Sequence, residues 1–287
     1  MRQRVKRALL IAAALAVLVL AGLGANTARH WAGLAGSSEA AARRRAELAP
    51  FWRIVAPPRG TAEAGGAVLL SGCDGVHDNM DFWAERLAAR GYRALILDSH
   101  RPRGLDRFEA WRLVCAGQVL PGAERSGDLA VALADPALPA GGRIVLGASH
   151  GGWAAMEFLR LALTRQVPPG LDRWPASPAD LLRRLDGVIL LYPYCGLLNG
   201  ADEGDWTAAP PILMVLAAED QIISTPACED LAERLRERGA RLRIEVLPGA
   251  DHGFDQQDHA ALSPLDFDAA LRDRTAREVD AFLSGAE

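Results

Sequence analysis

From residue 52 onward, short apolar runs alternate with stretches of helical spacing, and this alternation narrows the folds open to the chain. The runs are rich in Val, Ile and Leu without strict apolar–polar alternation, which is expected when both faces of a sheet are covered. Strands and helices in turn predict an α/β fold, with a mostly parallel central sheet and helices on both faces. The predicted strands are residues 52–56, 67–71, 94–98, 143–148, 187–192, 212–217 and 243–247.

The helices between these strands have recognisable ends. Asn79 is the predicted N-cap of one helix, and Thr225 with Pro226 is the predicted cap and first residue of another. Residues 165–184 contain four prolines and break the pattern, so they are predicted to form an irregular insertion and a mobile lid. The predicted helices are 79–91, 121–134, 150–163, 225–239 and 264–282.

The N-terminus carries a basic segment followed by an unbroken apolar run, residues 8–25. This order is typical of an export signal or of a single membrane anchor. Both are favoured over a buried core helix, because nothing polar interrupts the run. The predicted division is a signal peptide or membrane tether (1–25), a linker (26–49) and an α/β domain (50–287). That domain is expected outside the cytoplasm, either free in the periplasm or anchored and facing outward.

Lysine is nearly absent, since Lys6 is the only one and the other 31 basic residues are arginine. A folded domain without lysine cannot hold a P-loop lysine, a Schiff-base lysine or a Ser-Lys dyad. The 32 basic and 36 acidic residues give a net charge of −4, and loss of residues 1–25 with their four positive charges would take it to −8. An acidic domain argues against nucleic acid as a partner.

All four cysteines lie beyond the N-terminal run, and no CxxC, HxH or HExxH pattern occurs. These patterns are the usual signs of a zinc site, so we expect no metal and no other cofactor. An even number of cysteines in an exported chain permits two disulfides, while four free thiols in apolar surroundings are the alternative. The cysteines are Cys73, Cys115, Cys195 and Cys228.

The sharpest local motif is Gly147-Ala148-Ser149-His150-Gly151, which follows a predicted strand and precedes a predicted helix. In this context a G-x-S-x-G pentapeptide holds a nucleophilic serine, because only small residues beside the serine avoid clashes in the sharp turn. The helix N-terminus behind it adds positive potential. We therefore expect Ser149 to be a nucleophile. The alternative is a structural serine in a glycine-rich helix start.

A nucleophilic serine needs a base, and the base needs an acid that orients it. In hydrolases built on this elbow the chain order is Ser, acid, His. His252 follows the strand at 243–247 on a glycine-flanked loop and is favoured over His259, which lies in a polar run. Asp220 follows the strand at 212–217 and is favoured as the acid over its neighbour Glu219, because it lies further into the loop.

Two backbone N–H groups are expected to form an oxyanion hole. One belongs to His150, directly after the nucleophile, and the other comes from the loop after the strand at 67–71. In that loop we favour the N–H of Cys73, with Gly72 as the alternative. The side chain of His150 is expected to line the pocket or to pack under the elbow rather than to act as a base.

The sequence resembles the dienelactone hydrolase family of the α/β-hydrolases, in particular its exported members with a serine nucleophile. The resemblance spans about residues 50–285 and is carried by residues 69–75, 91–99, 101–104, the elbow, and the loops at Asp220 and His252. It implies a Ser/Cys–His–Asp triad that maps onto Ser149, His252 and Asp220. It also implies a small-molecule ester or lactone as substrate. The founding members use cysteine as the nucleophile, and Ser71 stands where their oxyanion loop begins with histidine.

The fold implied by this resemblance also bears on the cysteines. Its strand order places Cys73 and Cys115 after one pair of neighbouring strands, and Cys195 and Cys228 after another pair. The connectivity Cys73–Cys115 with Cys195–Cys228 is therefore favoured among the three that are possible.

Two arginines follow the strand at 94–98, at the expected edge of the site. Arg101 and Arg103 are candidate ligands for a substrate carboxylate, although salt bridges within the loop are favoured over that role. The resulting prediction is a serine hydrolase that cleaves an ester or lactone outside the cytoplasm. A peptidase of the same fold and a non-catalytic envelope binding protein are the other hypotheses. The sequence predicts no oligomeric state.

Overall fold

Seven strands form one sheet within the described residues of this computed structural model, which are 2–259 and 263–285. They are β1 (Arg53–Val55), β2 (Gly65–Leu70), β3 (Tyr92–Leu97), β4 (Gly142–Ala148), β5 (Leu185–Leu191), β6 (Ile212–Ala217) and β7 (Leu242–Leu247). Their order is β1-β3-β2-β4-β5-β6-β7, with β1 antiparallel to β3 and every other neighbouring pair parallel. The predicted mostly parallel sheet is confirmed. Predicted boundaries at residues 1 and 287 lie outside the described residues.

Helices cover both faces of this sheet. The helices of the described residues are α1 (Arg2–Trp31), α2 (Ala41–Leu48), α3 (Asp78–Ala89), α4 (Arg107–Glu109), α5 (Gly122–Leu133), α6 (His150–Thr164), α7 (Pro178–Arg183), α8 (Thr225–Glu237) and α9 (Ala269–Leu283). Helix α1 does not cover the sheet, since none of its most apolar window is buried. The buried residues form one large apolar cluster on each face. Leu213 belongs to one cluster and Met214 to the other, because successive residues of a strand point to opposite faces.

Four loops leave the carboxyl ends of parallel strands and meet at one edge of the sheet. They follow β2, β4, β6 and β7. In an open α/β sheet this edge is where binding and reacting groups gather. The topology therefore brings the predicted elbow, acid, base and oxyanion loop to the same side of the molecule.

Several predicted helix ends are displaced. Asn79 does not cap α3, which begins at Asp78, and Asn79 is buried with its Nδ2 3.5 Å from the hydroxyl of Tyr192. Ser224 caps α8, because its hydroxyl accepts from the N–H of Ala227 at 3.3 Å. The last helix begins at Ala269 rather than at residue 264. The carboxylate of Asp268 caps it by accepting two backbone N–H groups, at 2.8 and 3.0 Å.

The insertion at 165–184 is not a lid over the site, so that prediction is wrong. Helix α6 starts beside Ser149 and has 15 residues, so its far end lies ~22 Å away. The insertion leaves from that far end and includes α7. It packs against the domain through Leu171 and Leu181, both of which are buried. Its prolines shape a packed connection to the amino end of β5.

The segment predicted as a linker, residues 26–49, packs on the domain instead of separating it from the N-terminal helix. Helix α1 runs on to Trp31, and α2 places Leu48 in the main core cluster. The guanidinium of Arg44 is buried and donates to the carboxylate of Asp128 at 2.7 Å. The part of the chain that packs on the domain therefore begins before the predicted boundary at residue 50.

Candidate active site

Ser149 lies in the turn between β4 and α6, with φ +51° and ψ −114°. This left-handed conformation is strained for a residue with a side chain and is tolerated only where the surroundings enforce it. The neighbouring glycines show why they are needed. A methyl group on Gly151 would overlap the carbonyl of Leu70, and one on Gly152 would lie 2.7 Å from Cβ of Pro193. The chain can pass this closely because those side chains are absent.

Three polar side chains form a continuous hydrogen-bonded chain at the sheet edge. The Oγ of Ser149 is 2.9 Å from Nε2 of His252, and Nδ1 of His252 is 2.7 Å from Oδ2 of Asp220. The other carboxylate oxygen of Asp220 accepts the N–H groups of Ile222 and Ile223, at 2.9 and 2.7 Å. An ionised carboxylate only accepts, so Nδ1 carries the proton and Nε2 can take one from the serine.

The two alternative residues lie outside this chain. Glu219 is exposed at the end of β6, and its backbone N–H donates to the carbonyl of Ala250 at 2.9 Å. His252, and not His259, is the histidine that reaches Ser149. The structure therefore brings together the three side chains that the sequence analysis favours.

Arg125, which the sequence analysis missed, holds the loop at 71–75. It is fully buried in α5 and donates to the carbonyls of Ser71 and Gly72, at 2.7 and 3.3 Å, and to the hydroxyl of Ser71 at 3.1 Å. This places Gly72 against Ser149, where an added Cβ would lie 3.9 Å from Cβ of Ser149. An arginine and an aspartate three residues apart, directly before the apolar run at 129–133 of this helix, could have indicated a buried polar role.

The charge states around Arg125 follow from its burial. Burial lowers the pKa of Arg125 to about 10, although the negative charges of Asp128 and Asp98 act to raise it. The guanidinium is therefore still cationic at neutral pH. Burial and the charge of Arg125 lower the pKa of His150 to about 3, so its imidazole is neutral. Arginine only donates, so Nδ1 of His150 accepts from Arg125 at 3.3 Å. The loop at 71–75 thus has a fixed positive charge behind it.

Two disulfides join the same cysteine pairs that the sequence analysis favours. Cys73–Cys115 ties the oxyanion loop to the segment after α4, with a sequence separation of 42 residues. Cys195–Cys228 ties the loop after β5 to α8, with a separation of 33 residues. Only the first of these bonds touches a loop predicted to carry an oxyanion donor.

A cleft of two lobes opens at Ser149. The first lobe has a volume of about 320 Å³ and extends past Trp111 and Tyr192. The second has a volume of about 290 Å³ and extends past Trp153 and Leu198. Ser149 and the Cys73–Cys115 bond line both lobes. A carbonyl carbon placed at Ser149 would therefore have room for a substituent on either side.

The charge of the cleft is set by Asp74. Among the described residues that line the two lobes there is no arginine or lysine, while Asp74 lines the first lobe. Burial opposes ionisation of this carboxyl, but hydrogen bonds from His77 and Gln256, both at 3.0 Å, outweigh it and lower its pKa. Asp74 is therefore ionised at neutral pH, and it is the one acidic side chain among the described residues that line the first lobe.

The predicted substrate role of Arg101 and Arg103 is corrected, because neither lines the cleft. Arg103 donates to both carboxylate oxygens of the buried Asp128, at 2.9 and 3.1 Å. The guanidinium carbon of Arg101 lies 5.1 Å from the ring centre of Phe51. The favoured salt bridge within the loop is also corrected for Arg103, because its partner Asp128 lies in α5, and the sequence does not reveal that this helix approaches the loop.

A second buried network, which the sequence analysis also missed, supports the loop of His252. The ring of Tyr192 packs edge-on against that of His252, with 4.9 Å between centres. Tyr192 donates its hydroxyl to Asp255, which also accepts from the indole N–H of Trp83 at 2.6 Å. Burial raises the pKa of Asp255. These contacts fix the loop that carries His252.

Among the described residues, no three His, Cys, Asp or Glu side chains converge as a metal site requires.

The sheet, the elbow and the loops at its edge define the class: the chain has the α/β-hydrolase fold, as predicted. The model of the dienelactone hydrolase family matches residues 177–284, which include Asp220 and His252 but not Ser149. The predicted resemblance to that family is therefore confirmed. No curated protein matches the sequence.

Solved structures share the fold at low identity. Butyrate-bound esterase 2 from Thermogutta terrifontis is 15% identical, with a TM-score of 0.60 over 82% of this chain and 88% of that chain. The same esterase phosphonylated by cyclosarin is 16% identical, with a TM-score of 0.58 and the same coverage. The dienelactone hydrolase-like promiscuous phosphotriesterase P91 from metagenomic libraries is 17% identical, with a TM-score of 0.57 over 82% and 92%.

Proposed function

We propose that this protein is a serine hydrolase that cleaves carboxylic esters or lactones through the triad Ser149, His252 and Asp220. The family match and the esterases among the structural neighbours support a hydrolase acting on ester bonds. The observation that carries the proposal is the unbroken chain of hydrogen bonds from Asp220 through His252 to Ser149, at 2.7 and 2.9 Å.

The reaction has two halves. The Oγ of Ser149 attacks the carbonyl carbon while Nε2 of His252 takes its proton, and Asp220 stabilises the imidazolium. The bond to the alcohol oxygen breaks, and the alcohol leaves with the proton from His252. Water then gives a proton to His252 and attacks the acyl-enzyme, which releases the acid and returns the proton to Ser149.

Negative charge on the carbonyl oxygen is stabilised by the N–H of His150 and an N–H of the oxyanion loop, Cys73 or its neighbour Gly72. Donors of this kind act only if their positions are fixed before the reaction. The bonds from Arg125 to Ser71 and Gly72 and the disulfide at Cys73 supply that rigidity.

The variant Arg125→Met tests this role. It is expected to lower kcat for a water-soluble ester about 10²-fold, because a misplaced oxyanion donor costs about that much. KM should change far less than kcat. Arg143→Met removes another buried arginine, near the opposite end of β4, and is the matched control. Equal kcat losses in both variants would contradict a positioning role for Arg125.

The ionised Asp74 and the lack of basic lining residues favour neutral esters. We expect kcat/KM for p-nitrophenyl butyrate to exceed that for p-nitrophenyl hemisuccinate by at least about tenfold, a difference of ~1.4 kcal/mol that one charge pair in the cleft can supply. Asp74→Asn should narrow this ratio. A preference for the anionic ester would refute the assignment.

The two disulfides give a prediction that separates stability from catalysis. Cys73→Ala/Cys115→Ala and Cys195→Ala/Cys228→Ala are each expected to lower the free energy of unfolding by about 4 kcal/mol, because the closed loops have similar lengths. Only the first pair should also lower kcat, measured well below the melting temperature of both variants. A matching loss of kcat in the second pair would argue against a special role for Cys73–Cys115.

Export is proposed on two features. Helix α1 contains a stretch, Gln3–Trp31, that is long and apolar enough to cross a membrane, and the cysteines are paired.

A fluorophosphonate probe tests the enzymatic proposal directly, because it reacts with activated serines. We expect one labelled peptide, containing Ser149. An unlabelled protein without esterase activity would favour the envelope binding protein instead.

A further inference from the structure

Helix α1 joins the wall of the cleft without a spacer. The apolar run ends at Ala25, and the next residue, Asn26, donates to the carbonyl of Gln118 at 2.7 Å. The side-chain amide of Gln118 donates to the hydroxyl of Thr27 at 2.9 Å. Thr27 itself lines the second lobe of the cleft. Because a helix rises ~1.5 Å per residue, this wall residue lies ~3 Å along the axis from the last apolar residue.

A second contact fixes the end of α1 to the other side of the same lobe. The indole N–H of Trp31 donates to the carbonyl of Leu198 at 3.0 Å, and Leu198 lines the second lobe. None of the most apolar window of the stretch that could cross a membrane is buried. A bilayer around residues 8–25, ~27 Å long as a helix, would therefore end at the rim of the cleft.

Large apolar side chains are exposed around this rim. We call Phe108, Trp111, Leu197 and Ile222 the mouth surface; they are 65%, 39%, 96% and 50% exposed. Trp111 and Ile222 line the cleft. The ring centre of Phe108 lies 6.2 Å from that of Trp111. Leu197 directly precedes Leu198, whose carbonyl accepts the hydrogen bond from Trp31. Exposed apolar and aromatic residues grouped in this way mark contact with a membrane or a partner.

The charges at the other end of α1 set its direction. Arg4, Lys6 and Arg7 precede the apolar run, and basic residues stay on the cytoplasmic side of a membrane. The cleft then lies at the outer surface of the bilayer. Continuity with a membrane-spanning helix is the reason to choose a lipid bilayer, rather than a second copy or another protein, as the occupant of the mouth surface.

We propose that α1 is retained as an anchor and that the cleft opens onto the bilayer which α1 spans, so that the substrate is an amphiphilic carboxylic ester dissolved in that bilayer. This inference rests on the proposed ester hydrolysis. The acyl chain enters from the membrane through the mouth surface, and the carbonyl reaches Ser149 where the two lobes meet.

The test uses the full chain reconstituted in phosphatidylcholine vesicles. 4-Methylumbelliferyl palmitate is placed either in the same vesicles or in separate ones, and 4-methylumbelliferyl butyrate is supplied in water. We expect palmitate hydrolysis to be at least tenfold faster in shared vesicles, with butyrate hydrolysis equal in both arrangements. Equal palmitate rates in the two arrangements would overturn the inference. A protein that does not cleave the butyrate ester would instead overturn the proposed function.

Surface variants sharpen the test. Leu197→Asp and Phe108→Asp should each lower the ratio of palmitate to butyrate hydrolysis in shared vesicles at least fivefold. Val167→Asp is the matched control, because Val167 is 41% exposed but lies beyond the far end of α6. If the ratio of palmitate to butyrate hydrolysis is unchanged, and the unmodified protein is a dimer while the variants are monomers, the mouth surface joins two copies of the chain and the inference is overturned. N-terminal sequencing of cell-derived protein should find α1 present; cleavage before Asn26 would also overturn the inference.

Discussion

Ser149→Ala is expected to lower kcat for p-nitrophenyl butyrate by at least about 10³-fold, because the acyl-enzyme can no longer form. What remains should be the activity that binding and the oxyanion donors supply without a nucleophile. Alanine fills no more space than serine at the elbow, so the fold should be kept. Steady-state kinetics on the purified variant measure the effect, and the melting temperature verifies that the protein is folded.

The same variant should lose its reaction with a fluorophosphonate probe. His252→Gln is the companion change, since it leaves the hydroxyl in place but removes the base. Both variants should fall to similar residual rates, because residues that act as a unit give non-additive losses. A Ser149→Ala protein with full esterase activity would show that the reaction takes place elsewhere.

Asp220→Asn is expected to lower kcat by about 10³- to 10⁴-fold while the fold is kept. Asparagine can still accept from Ile222 and Ile223, but its amide can donate to Nδ1 of His252 and so favour the tautomer with a proton on Nε2. That nitrogen could then no longer take the proton of Ser149. The loss should appear in kcat, with little change in KM.

The neighbouring carboxylate offers the control for this change. Glu219→Gln alters an exposed side chain one residue away and should keep kcat within about twofold, since no hydrogen bond links its carboxylate to His252 among the described contacts. A large loss in Glu219→Gln with a small one in Asp220→Asn would reverse the assignment of the acid.

The sequence predicts those parts of the site whose signals lie within a few consecutive residues. The elbow is readable because glycine spacing, a preceding strand and a following helix all lie within a few residues of Ser149. The positions of Asp220 and His252 follow once the strands are found, since parallel strands deliver their following loops to one edge. Both steps need only local patterns and one rule of topology.

The contacts that were missed depend on how helices approach the loops. Arg125 reaches Ser71 across 54 residues, and Asn26 reaches Gln118 across 92, so neither bond leaves a local pattern. The same limit explains the errors. Prolines at 165–184 suggested a lid because the sequence does not show that α6 carries the chain away from Ser149. Arg103 resembled a substrate ligand because the buried carboxylate of Asp128 lies 25 residues away.

The Cys73–Cys115 disulfide also determines when the site is completed. Until that bond forms, the loop at 71–75 is held by hydrogen bonds at Arg125 and at Asp74, so under the proposed function a chain newly made in the reducing cytoplasm would hold its oxyanion donor less rigidly. On the proposed export route, oxidation outside the cytoplasm would then fix this loop beside Ser149. The protein would thus gain its full activity on the side of the membrane where its substrate lies, and the esters of the cell interior would be spared while it is being made.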